Sequence, residues 1–96
     1  MWKFAAVLGL MGSALSAQNS EQIRLCATYG EFAAEVMMHR QDGVSLARIL
    51  GVLTDSEVQE KAMTMEAFAV PRFHSPAGKQ RAVDDYRNDV EIRCLN

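Results

Sequence analysis

Cys26 and Cys94 are the chain's two cysteines, and they bracket nearly everything that follows residue 17. A bond between them would close the chain on itself, so a fold that uses both must bring its two ends together. The first residues say that such a bond can form. Lys3 gives a short positive start, Phe4 to Leu15 an almost unbroken apolar run, and Ser16-Ala17 a small-residue exit before polar Gln18-Asn19-Ser20. That order of segments is what a secretory signal peptide requires. Cleavage after Ala17, or after Ala14, would send residues 18–96 to the periplasm or the medium as one domain, beyond the reducing cytosol, where a disulfide persists. The apolar run is shorter than the about 20 residues a membrane-spanning helix needs, and nothing after residue 17 resembles a span.

A domain of this length buries only about two thirds of the surface its unfolded chain exposes. Closing the chain from Cys26 to Cys94 removes roughly 4 kcal/mol of unfolded-state entropy, close to the whole stability of about 5 kcal/mol expected for such a domain. Charge excludes one class of partner. Ten basic residues, Lys3 among them, stand against twelve acidic ones, and no basic block occurs. A nucleic acid or an anionic membrane surface therefore finds no electrostatic footprint here.

Helical spacing dominates, and no stretch alternates as a strand would. The first helix is expected from Ser20, as its N-cap, to about Asp42. It carries Ile23, Cys26, Ala27, Gly30, Ala34 and Met37 on one face, and Leu25, Tyr29, Phe32 and Val36 beside them. Gly30 within it costs up to about 1 kcal/mol of helix propensity, which the close approach of another helix would offset. Gly43 suits a left-handed cap. Ser45 caps a short second helix from Leu46 to about Leu53, with Leu46, Ile49, Leu50 and Leu53 inward. Thr54 and Glu57 match a capping box for a third helix. That helix turns Val58, Ala62, Met65 and Ala69 inward and stops near Pro71. Ser75-Pro76 starts the fourth, along which Val83, Tyr86, Val90 and Cys94 line one side, with Arg81/Asp85 and Asp89/Arg93 as four-residue opposite-charge pairs. The reading is an all-α, irregular four-helix bundle. Up-down-up-down order puts the start of the first helix beside the end of the fourth, where the two cysteines lie.

Motifs of catalysis are missing: no G-x-S-x-G, H-E-x-x-H, C-x-x-C, P-loop or dinucleotide glycine pattern occurs. With both cysteines bonded, no thiol is left as a nucleophile. Met37-Met38-His39, Met63, Met65 and His74 are soft ligands of the kind copper(I) takes. Helical spacing splits them between sides, so they read as core methionines, and no metal or cofactor is expected. The topology that unites the cysteines gathers the Met38–Ser45 and Pro71–Pro76 connections at the other end. There stand His39, Arg40, Asp42, Arg72, Phe73 and His74, a mixture of arginine, aromatic and histidine side chains on loops that suits a protein interface.

Cys26, the Ala-rich helix ending in His39-Arg40-Gln41-Asp42-Gly43, Pro71-Arg72-Phe73, and Tyr86-Arg87-Asn88 before Cys94 together give the chain a resemblance. It resembles small exported single-disulfide helical proteins of Gram-negative bacteria and their prophages, most of which have no assigned activity. The resemblance implies location and fold and carries no mechanism. The expected role is a non-catalytic binding module for a protein of the envelope or the outside, acting through the loop end. An acid-responsive periplasmic holdase is the alternative, by analogy of architecture with small acid-stress chaperones. A small enzyme using the loop histidines comes third.

Overall fold

The structure, a computed structural model, describes residues 19–96, so the expected signal peptide lies outside the described residues. The described chain is helical, with no strand: α1 (Ser20–Gln41), α2 (Leu46–Gly51), α3 (Val58–Phe68) and α4 (Pro76–Leu95). A disulfide joins Cys26 to Cys94, with Cα atoms 5.6 Å apart. No helix among the described residues is long and apolar enough to cross a membrane.

Local chemistry explains most helix ends. Asn19 caps α1 by accepting the Gln22 N–H at 2.8 Å, one residue before the expected Ser20. At the other end Gly43 turns back with φ +87°, a backbone shape that glycine alone adopts without steric cost. Ser45 Oγ accepts the Arg48 N–H, and Ser75 Oγ accepts the Gly78 N–H with Pro76 in the first turn, as expected for both. The capping box is half formed. Glu57 reaches back to the Thr54 N–H at 2.7 Å, but the Thr54 hydroxyl turns to Ser56 and Glu57. The backbone makes a turn first, Glu57 N–H to the Thr54 carbonyl, and α3 starts only at Val58.

α4 is the principal neighbour of α1 and runs antiparallel to it, since Cys26 meets Cys94 at one end while the last turn of α1 lies beside the start of α4 at the other. Gly30 is buried where the two helices approach, and a methyl group added there would run into the Glu91 side chain. This is the close contact expected to offset the low helix propensity of a glycine at that position. α3 packs on α1, and α2 on α3. The core consists of Ala33, Val36 and Met37 from α1, Met63 and Ala67 from α3, and Ala82, Val83, Tyr86 and Val90 from α4.

Two expected faces need correction. Ile23 and Leu25 are about half exposed, at 49% and 55%. With Cys26 opposite Cys94, α4 ends one residue after the bridge, and the first turn of α1 extends past it. On α3 the expected inner residues Val58, Ala62, Met65 and Ala69 are exposed, and Met63, Thr64 and Ala67 face the core. Thr64 can be buried because its hydroxyl donates to the Glu60 carbonyl at 2.8 Å within its own helix. Of the two expected charge pairs on α4, Asp89–Arg93 closes at 3.0 Å, while Arg81 does not bond to Asp85.

Candidate functional site

The end of α1 and the loop between α3 and α4 are stitched together. Arg40 Nε donates to the Val70 carbonyl at 2.9 Å, and its guanidinium lies 5.1 Å above the centre of the Phe68 ring, a cation–π distance. Gln41 is 1% exposed. Its amide nitrogen donates to the Pro71 carbonyl at 2.9 Å and its amide oxygen accepts the Phe73 N–H at 2.7 Å. Arg72 Nε closes the seam by donating to the Gln41 main-chain carbonyl at 3.2 Å. Val70, Pro71, Arg72 and Phe73 are thus all hydrogen-bonded to one helical turn, the first two as acceptors and the last two as donors.

These contacts sort the six residues expected at this end. Arg40 and Arg72 are beside the same turn, but both spend a guanidine N–H on the backbone seam. Phe73 is 39% exposed and packs over Gly78 at the start of α4, and His74 beside it is exposed. Asp42 caps α1 and faces solvent. His39 lies apart from Phe73. It borders a 380 Å³ groove between α1 and α2 with Phe32, Val36, Val44 and Ile49, whereas Phe73 borders one along α4. A surface centred on Phe73 therefore takes Arg72 and His74, leaves Asp42 bordering another hollow beside Pro76 and Lys79, and leaves His39 on another side.

Gln41 and Phe68 were not anticipated. Gln41 continues the Gly30–Ala34–Met37 row at a four-residue step, and that continuation is the signal that could have found it. The methionines divide as the spacing requires: Met37 and Met63 are buried, and Met38 and Met65 are about half exposed. Among the described residues, no three histidine, cysteine or carboxylate side chains gather closely enough to hold a metal ion.

A second cluster, near the disulfide, ties α3 to α4. Arg93 grips both carboxylate oxygens of Glu66 at 2.7 and 2.8 Å, and the Tyr86 hydroxyl is shared between the Met63 carbonyl at 2.7 Å and Glu66 at 3.0 Å. The Arg93 hydrogen bonds hold the Glu66 carboxyl below its usual range, while burial and the adjoining Glu66 push the Tyr86 hydroxyl upward. A carboxyl whose folded pKa is depressed contributes stability that is complete above its unfolded pKa, about 4.3, and that disappears as pH falls through the folded value. Melting temperature is accordingly expected to hold from about pH 7 to pH 5 and to decline below that. Glu66→Gln should start lower and decline less. Melts followed by circular dichroism across pH check this, and an equal acid slope in both proteins would assign the loss to other carboxylates.

No protein-family model, curated protein or solved structure matches the chain.

Proposed function

We propose that this chain is a non-catalytic binding module that acts after export, in the cell envelope or outside the cell, and that its contact surface is the loop end around Phe73. One observation carries the reading. The loop from Ala69 to Ser75 is fixed by Arg40, Gln41 and Arg72, yet it leaves Pro71, Arg72, Phe73 and His74 exposed. A loop held in place by partly buried bonds while presenting an aromatic ring has already met the ordering cost that binding imposes, so its contacts convert more fully into affinity. The disulfide is compatible with a protein that works in an oxidising compartment.

The test uses Phe73→Ala with His74→Ala, leaving Arg72 in place because its Nε holds the seam. Capture of a partner from envelope extract should fall at least tenfold, roughly the affinity that one exposed aromatic anchor supplies. Stability should fall by about 1–2 kcal/mol, since a residue 39% exposed has only part of a Phe side chain's burial to lose. If the ring instead plugs the end of the helices, stability should fall by about 3 kcal/mol, as for a buried Phe→Ala, and capture only in proportion to unfolding. Both quantities measured on the same variant separate the cases.

A further inference from the structure

Along α4 runs a groove of 360 Å³ whose apolar lining includes Met37, Val70, Phe73, Ala82 and Tyr86, with Arg81, Asp85 and Asp89 also bordering it. We propose that a second copy of this chain docks in this groove, the two α4 helices lying antiparallel about a two-fold axis midway between Arg81 and Asp85.

A two-fold interface must be complementary to itself, and two features of the groove meet that condition. The first is charge. Arg81 and Asp85 stand one helical turn apart, both are exposed, and neither bonds to another side chain among the described residues. Rotation about the stated axis brings Arg81 of each copy opposite Asp85 of the other. A groove bordered by one sign of charge would call for a partner of the opposite sign, but a cation and an anion one turn apart match their own image. Asp89 is already engaged by Arg93 and leaves Asp85 as the groove's free carboxylate.

Shape is the second feature. Phe73 rises at one end of the groove over Gly78, and the hollow continues past Ala82 to Tyr86 and Asp89 at the other. The same rotation carries the Phe73 ring of one copy toward the Tyr86 end of its partner. Exposed ion pairs add little each, so the two rings supply most of the attraction and the charges set the orientation. The proposal rests on the loop-end reading only in taking Phe73 as an exposed anchor. A second copy and a different partner would compete for that ring.

Sedimentation equilibrium of the disulfide-bonded protein over a wide concentration range tests the arrangement. The protein should self-associate, and Arg81→Asp or Asp85→Arg alone should raise the dissociation constant about tenfold or more by opposing like charges. Mixed in equal amounts, the two variants should form a mixed dimer. One then presents two carboxylates along α4 and the other two guanidinium groups, so opposite charges meet at both contacts. A protein that stays monomeric, single variants that associate like the parent, or a mixture that stays apart would each overturn the proposal. Partner capture by Arg81→Asp, which keeps Phe73, reports on the loop-end reading separately from the dimer.

Discussion

Replacing both Cys26 and Cys94 with alanine is expected to lower stability by about 4 kcal/mol and the melting temperature by roughly 15–30 °C. The bond joins residues 68 positions apart and encloses nearly all of the four helices. Without it the unfolded chain gains freedom that the native contacts near the bridge are poorly placed to offset. There α1 and α4 meet through Gly30, Ala33 and Val90, and the core side chains Met37 and Val83 lie farther along. The Glu66–Arg93 pair also sits at this end, but its side chains are about half exposed, so its contribution is screened by solvent and is too small to replace the bridge. Loss of the bond should therefore loosen the first turns of α1 and the last turns of α4 first, with amide exchange rising there before the loop end. Reduction of the unchanged sequence by dithiothreitol should give the same melting temperature as the double variant. A loss below about 1 kcal/mol would mean that the unfolded chain stays compact without the bridge, so that loop closure constrains little.

The parts of this fold that could be read in advance are those set by neighbouring residues. Ser45, Ser75-Pro76 and Gly43 act over three or four positions, and each stands where local geometry requires it. The α4 face of Val83, Tyr86 and Val90 was also legible, because charged residues fill the other sides and one apolar stripe remains. α3 offered two stripes. Val58, Ala62, Met65 and Ala69 are all apolar, whereas the face that is buried includes Thr64, which any apolar pattern places outside. What decides between them is the Thr64 hydroxyl bonding inside its own helix and the Tyr86 hydroxyl reaching the Met63 carbonyl, and the second depends on a residue 23 positions away. The same limit applies to the site. Its location at the end opposite the cysteines followed from helix order. Its internal wiring did not, since Gln41 and Arg40 bond to carbonyl oxygens 30 positions distant, and backbone carbonyls leave no mark in a sequence. Arg40 and Arg72, expected as contact residues, also hold the loop.

That wiring makes Gln41 the residue whose replacement should alter the loop most. Gln41→Met keeps nearly the same volume and helix propensity but can neither accept the Phe73 N–H nor donate to the Pro71 carbonyl. Two hydrogen bonds lost at a buried position should cost about 2–3 kcal/mol, and Gln41→Ala should cost more because it also leaves a cavity. The local effect should exceed the global one. Phe73 N–H is bonded to the Gln41 side chain, so its exchange with solvent should speed up in Gln41→Met far more than that of amides in the middle of α1 or α4. Arg40 and Arg72 would remain, each with one bond to the seam, and they would keep the loop near α1 without fixing the direction of the ring. If binding depends on a ring already in place, capture should fall in Gln41→Met although every exposed side chain of the loop is unchanged. Unaltered Phe73 exchange would show that the two arginines suffice to hold the loop. Accelerated exchange with undiminished capture would mean that the partner orders the ring itself, and the rigidity of the seam would then serve the stability of the helices alone.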